Sequence, residues 1–194
     1  MKRVLEVNVD DRGYGGVFAF VLNMLGSIDH QKIILDVCTF EKFDDEQHKD
    51  KFTKYGGRVY DCQGTGNFIK KQLQTCMNFY RMLKTHPYEV VHIHSDVAYK
   101  LLIYGLVAKF GGVKTVIVHS HSTGIEGRHH TIKKILQQLA KLILSHTDFV
   151  KFACSNLAAQ WMYKKPEKAV IIKNGIIIEK FAFSDETQKE SGTW

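Results

Sequence analysis

One pattern narrows the fold more than any other: short runs rich in β-branched residues alternate with stretches of helical periodicity along the chain. The runs fall at Val4–Val9, Lys32–Phe40, Arg58–Asp61, Glu89–His94, Lys114–Val118, Asp148–Ala153 and Lys168–Ile172. Helical patterns fill the gaps, among them Asp44–Tyr55, Phe68–Thr85, Val97–Phe110 and Thr131–Ser145. Gly56-Gly57 and Gly111-Gly112 read as helix stops, Asn67 and Ser155 as N-caps, and His86-Pro87 as a helix end. This grammar predicts an α/β fold, a doubly wound and mostly parallel seven-stranded sheet with helices on both faces. At 194 residues the chain can bury a full core as one domain.

The first strand leaves through Asp10-Asp11-Arg12-Gly13-Tyr14-Gly15-Gly16, and an apolar helix follows from Phe18. Strand, glycine turn and helix N-terminus are how such sheets receive phosphate, because glycine admits a ligand close to the backbone and free amides point at negative charge. The dinucleotide version fails. Gly13 and Gly15 supply G-x-G, but the third position is Phe18 and Asp36 sits inside strand two rather than at its tip.

A formal charge of +7 and a pI near 9.1 favour an anionic partner, although lysines that merely solvate helix faces give the same totals. No nucleic-acid motif accompanies the charge, so nucleic acid is not expected as a partner. Met1-Lys2-Arg3 leads straight into a strand bearing Glu6, without the apolar region of a secretory signal. Cys38, Cys62, Cys76 and Cys154 are widely spaced and read as reduced thiols, so a cytoplasmic protein is expected. Two helical stretches carry lysines beside an apolar stripe: Phe68–Thr85, with Ile69, Leu73, Cys76, Met77, Tyr80 and Leu83, and Thr131–Ser145, with Ile132, Ile135, Leu136, Leu139, Leu142 and Ile143. Packing of both stripes into the core is the expected state, with contact at a membrane surface the alternative.

Ligands of doubly wound sheets bind beyond the carboxyl ends of the strands, where strand order reverses. That rule gathers the glycine turn, His94-Ser95-Asp96 after strand four, and His119-Ser120-His121-Ser122-Thr123-Gly124 after strand five. His92 and His94 share one strand face, as do His119 and His121 if extended, and four imidazoles could hold zinc. Zinc hydrolases usually add carboxylate ligands, and only Asp96 is near in sequence, so a hydroxyl- or phosphate-binding role for His121 and Ser122 is preferred and no metal is expected. A serine hydrolase lacks its G-x-S-x-G elbow here, and a P-loop nucleotidase its G-x-x-x-x-G-K-[ST] loop.

Four stretches, in this order and spacing, resemble the N-terminal domain of the retaining GT-B glycosyltransferases, with its Rossmann-like sheet. They are Met1-Lys2-Arg3-Val4-Leu5 leading to Tyr14-Gly15-Gly16-Val17, then Pro87-Tyr88-Glu89-Val90-Val91-His92-Ile93-His94, then Val116-Ile117-Val118-His119-Ser120-His121-Ser122, and finally Ala153-Cys154-Ser155 with Lys173-Asn174-Gly175-Ile176 and Glu179-Lys180-Phe181. The resemblance implies that Gly15 and Gly16 offer amides to a nucleotide-sugar diphosphate and that His121 lies near the transferred sugar, with Ser122 beside it. Thr123, His94 and Asp96 would complete the donor-phosphate or acceptor-binding set. It further implies a saccharide or lipid-linked acceptor, no cofactor, and a place in surface-polysaccharide, capsule or glycolipid assembly, with possible peripheral contact at the inner membrane face.

The resemblance covers residues 1–183; 184–194 read as a polar, disordered tail. Ile177 stands where the family has aspartate. Nothing after Phe183 encodes the C-terminal domain that grips the nucleotide, so the chain is expected to be the acceptor-side half of a cleft. Little activity is expected of it alone, and a separate C-terminal domain is a candidate partner. A non-enzymatic subunit or membrane-associated binding module of a split enzyme is the alternative.

Overall fold

The computed structural model describes residues 1–10, 15–41, 43, 45–124 and 130–175. The expectations placed on Gly13, Tyr14, the end of the N-G-I motif and the polar tail lie outside the described residues.

The strands are β1 (Lys2–Val7), β2 (Ile33–Thr39), β3 (Val59–Asp61), β4 (Val90–Ser95), β5 (Thr115–Ser120), β6 (Val150–Ala153) and β7 (Val170–Ile171). The helices are α1 (Gly16–Ser27), α2 (Glu46–Thr53), α3 (Phe68–Thr85), α4 (Ala98–Gly111), α5 (His130–Leu144) and α6 (Asn156–Met162). The seven strands form a single sheet in the order β3-β2-β1-β4-β5-β6-β7, and every pair is parallel. Order therefore reverses between β1 and β4, which opens the ligand crevice there. The expected α/β architecture holds, with the strands wholly rather than mostly parallel.

Period-two alternation assigns the faces. Leu5, Val7, Val91, Ile93, Val116 and Val118 are buried with residues of α3, α4, α5 and α6 in the larger core. Leu35 and Val37 pack under α1 and α2 with Phe18, Val21, Leu25 and Phe52. Asp36 is fully buried within β2; it takes the Arg3 guanidinium at 2.6 Å, the Tyr88 hydroxyl at 2.7 Å and the Arg58 amide at 2.7 Å. Its role is to bind β1, β2 and the approach to β4 together, which agrees with its exclusion as a ribose ligand.

Three sequence expectations change. Strand five runs on through His119 and Ser120, because the β4 register continues through His94↔His119 and Ser95↔Ser120. Apart from Leu83 and the half-buried Cys76, the stripes on α3 and α5 stay out of the core: Ile69, Leu73 and Met77 are 70%, 68% and 49% exposed, and Ile132, Ile135 and Leu139 are 63%, 56% and 53%. Instead α3 turns Thr75, Phe79 and Leu83 inward, and α5 turns Gln137, Ala140 and Leu144 inward. Gln137 accepts from the Ala98 amide at 2.7 Å, so the inward polar residue caps the N-terminus of α4. The α4 helix, whose sequence is apolar almost all round and so predicts burial under neighbouring elements, keeps Ile103 and Phe110 at the surface.

Candidate functional site

The reversal point between β1 and β4 is occupied by a buried polar cluster. On one sheet face β1 contributes Glu6, β4 His92 and His94, and β5 His119, with His121 just past its end. Glu6, His94 and His119 are 1%, 0% and 0% exposed. Oε2 of Glu6 accepts at 2.7 Å from Nε2 of His94 and lies 3.0 Å from Nδ1 of His92. Nδ1 of His94 faces Nε2 of His121 at 2.9 Å, and Nε2 of His92 faces Nδ1 of His119 at 3.1 Å. The Phe20 ring of α1 stands edge-on over the group, with its centroid 5.1 Å from His119 and 5.6 Å from His121. Phe152 of β6 closes the side next to His92 and His119.

Burial sets the charge states. Desolvation raises the Glu6 carboxyl, but charge and hydrogen bonds from His92 and His94 outweigh it and hold the group down at about 2. Desolvation, then the neighbouring His92, lowers His94 to about 4 against the pull of Glu6. Desolvation and the neighbouring imidazoles lower His121 to about 3 and take His119 well below the usual histidine range. At neutral pH an ionised Glu6 thus faces neutral His94, His119 and His121.

Two buried nitrogens in this group lack a partner, Nε2 of His119 and Nδ1 of His121. A metal could be held by His92, His94 and His119, whose candidate ligand nitrogens lie within 4.8 Å of one another. Those imidazoles already make hydrogen bonds to Glu6, to His121 and to each other, so a metal would have to displace existing bonds.

The sequence-predicted site residues divide. His94 is fully buried with both nitrogens bonded, so it reaches a ligand only through His121. Asp96 is exposed; its carbonyl accepts from the Trp161 indole at 3.0 Å and its carboxylate from Ser95 at 3.2 Å. Ser122 folds onto the Gly124 backbone at 3.3 Å, and Thr123 is exposed. Gly15 caps α1 without any side-chain cap, and no acidic residue occupies the first turn. A Cβ on Gly16 would meet Asn174 Nδ2 at 3.8 Å, an ordinary contact, which places the two glycine-containing turns side by side. Asn23 of α1 secures that arrangement by donating to the Gly175 carbonyl at 2.6 Å. One helical turn, about 6 Å, separates Gly16 from Phe20 and its histidines. A surface hollow of about 860 Å³ lies elsewhere, along the exposed face of α3.

Glu6 was not singled out from sequence as a member of the site. Its signal is a lone acid in an otherwise apolar alternating strand, on the face that pairing brings to His92.

Fold and site together define a doubly wound α/β domain with an uncapped glycine helix start and a histidine cluster at its switch point. Residues 14–180 match Glycosyltransferase Family 4, and the chain belongs to that family as a GT-B N-terminal domain. It is 26% identical over 195 residues to EpsF of Bacillus subtilis (strain 168), which carries a glycosyltransferase name, covering 97% of this chain and 49% of that protein. It is 28% identical over 122 residues to the UDP-Gal:alpha-D-GlcNAc-diphosphoundecaprenol alpha-1,3-galactosyltransferase of Escherichia coli, covering 58% of this chain and 30% of that one. Among solved structures, Anabaena HepE in complex with UDP-glucose superposes with a TM-score of 0.63 at 12% identity, over 99% of this chain and 50% of HepE. The Staphylococcus aureus MnaA–UDP structure gives 0.62 at 15%, over 98% and 52%. The chain spans about half the length of EpsF and of both these structures.

Proposed function

We propose that this chain forms the acceptor-side wall of a cleft that transfers a sugar, with retention, from a nucleotide-sugar to a saccharide or lipid-linked acceptor in surface-polysaccharide or glycolipid assembly. The observation that carries the proposal is the convergence of the Gly15-Gly16 turn, the Asn174-Gly175 turn and the buried His121 cluster at the switch point. The free first-turn amides of α1 receive the diphosphate and stabilise it as it leaves, without a metal. His121 lies near the transferred sugar, with Ser122, Thr123 and Asp96 around the acceptor.

A second half of the cleft is part of this proposal. Parallel sheets are ordinarily covered on both faces, yet Val150 and Val170, on the outer strands of the histidine-bearing face, are 39% and 53% exposed. Beside them runs an apolar trough of about 430 Å³ lined by Phe20, Ile117, Phe152 and Ile172, which suits apolar residues of a second domain. Alone, the chain is expected to turn over nucleotide-sugars at background rate. Supplying a donor-side domain, for example the C-terminal half of EpsF joined after Gly175, should bring transfer to a lipid-linked saccharide. Robust turnover by the isolated chain would refute the half-cleft reading; absence of transfer from the joined protein with every UDP-sugar offered would refute the enzyme reading.

A further observation favours peripheral membrane contact, and with it a lipid-linked acceptor. The α3, α4 and α5 helices lie side by side and expose Leu73, Met77, Phe110, Ile135 and Leu139 among lysines 70, 84, 134 and 141. An apolar face with a basic rim is the composition of a surface that rests in anionic headgroups.

A further inference from the structure

We propose that Glu6 is the positioning residue of this site: one carboxylate oxygen anchors a forked pair of imidazole chains and, through His94, fixes His121 with its proton on Nε2 and a bare acceptor on Nδ1. The function assigned to His121 rests on the reading above, but its protonation pattern does not.

With Glu6 ionised and His94 and His121 neutral, the assignment follows from the geometry of donors and acceptors, since hydrogens are placed by the network. An ionised carboxylate only accepts, so the nitrogen of His94 that meets Oε2 at 2.7 Å is N–H. A neutral imidazole carries one N–H, which leaves Nδ1 of His94 as an acceptor. The Nε2 of His121 at 2.9 Å must then be the donor, and its Nδ1, buried and unpartnered, is a bare lone pair. The second arm of the fork runs from Oε2 of Glu6 to Nδ1 of His92 at 3.0 Å and from Nε2 of His92 to Nδ1 of His119 at 3.1 Å, and ends on the unpartnered Nε2 of His119. Both arms end on a buried nitrogen without a partner, and on the His94 arm that nitrogen is an acceptor.

The groups facing the fork are few. From β1 comes Glu6, from β4 His92 and His94, and from β5 His119 with His121 beyond it; α1 and β6 contribute the Phe20 and Phe152 rings. The charges that act on His121 are those of His94, His92 and Glu6. Besides Glu6, the His94 proton meets only the neutral Nε2 of His121 as an acceptor in the described group, so removing Glu6 removes the reason for a single tautomer.

The test is nitrogen-15 NMR of the histidine rings in the full chain near neutral pH, with no ligand. The expected spectrum shows His94 and His121 each as a single form protonated on Nε2, with a through-hydrogen-bond coupling between Nε2 of His121 and Nδ1 of His94. Glu6→Leu, with dispersed amide signals confirming the fold, should turn His121 into a mixture of tautomers. Glu6→Asp, which keeps a carboxylate, should retain the wild-type form as the major one. A purely space-filling Glu6 would leave the Glu6→Leu tautomers unchanged, and that result overturns the proposal. So does a wild-type His121 protonated on Nδ1 or lacking the coupling, a result that stands even if Glu6→Leu fails to fold. No sugar and no second domain enter the measurement, so failure of the transferase reading would leave it intact.

Discussion

Oε2 of Glu6 and Nε2 of His94 lie 2.7 Å apart across the one place in the sheet where strand order reverses. A carboxylate from β1 and an imidazole from β4 thereby close, at the floor of the crevice, the gap that the topology leaves open to ligands above. Asn8, a non-glycine residue with positive φ (63°), completes the seam by donating to the His94 carbonyl at 2.7 Å. Asparagine tolerates that left-handed geometry better than most side chains, so β1 can end and still hold β4.

The cluster makes stability pH-dependent with a defined sign. His94 and His121 fall from 6.5 to about 4 and about 3 on folding, so the unfolded chain binds protons that the folded chain refuses. Their contribution is intact above 6.5 and is lost as pH falls from there through the folded values, at about 1.4 kcal/mol per pH unit for each group titrating. Glu6 adds a loss at lower pH, between its ordinary 4.5 and about 2. Denaturant midpoints measured from pH 8 downward should be flat to about 6.5 and then drop steeply. Midpoints unchanged down to pH 4 would contradict neutral burial of these imidazoles.

Asp36 is the second buried carboxylate, and its partners are structural. Tyr88→Phe removes a donor at 2.7 Å from a fully buried acceptor and should destabilise by about 1–3 kcal/mol. Arg3 is 34% exposed on its side chain, so Arg3→Ala should cost less, because water can replace its N–H groups. Urea unfolding of the two variants gives the order directly.

Gly16 separates folding from binding. Its added Cβ meets an ordinary 3.8 Å contact, so Gly16→Val should shift the melting temperature little. If the α1 amides receive a diphosphate, the same branched side chain stands over them and should lower transfer by the donor-complemented protein at least tenfold, about 1.4 kcal/mol of lost transition-state binding. Equal transfer by both proteins would remove the glycine turn from the site.

Legibility followed physical cause. Parallel order, the helix caps at Asn67 and Ser155, and the meeting of three loops at the carboxyl ends were open to a sequence reading because period and capping are local. The cluster's linchpin was not. Glu6 and His94 are 88 residues apart, and only strand pairing puts them together. The outward stripes of α3 and α5 were misread for a related reason. Periodicity reveals that a helix has an apolar face but says nothing about what lies against it, and here Thr75 and Gln137 are turned inward by backbone amides that need acceptors.

That exposed face yields the last prediction. Ile135 and Leu139 are 56% and 53% exposed and one helical turn apart on α5, too apolar a pair to be left in water without a partner surface. Lys134 beside them, and Lys70 and Lys84 across on α3, supply charge that phosphatidylglycerol headgroups would meet. Sedimentation with phosphatidylglycerol-containing vesicles should carry the chain down, and phosphatidylcholine alone should carry much less. Raising salt weakens the lysine contribution, worth about 1 kcal/mol per charge near the surface, but leaves the apolar one. The double variant Ile135→Glu, Leu139→Glu should therefore abolish vesicle binding at every salt concentration while keeping the melting temperature, since neither side chain is in the core. Retained binding by that variant would show that the basic rim acts alone, and loss of binding by wild type in modest salt would show the same.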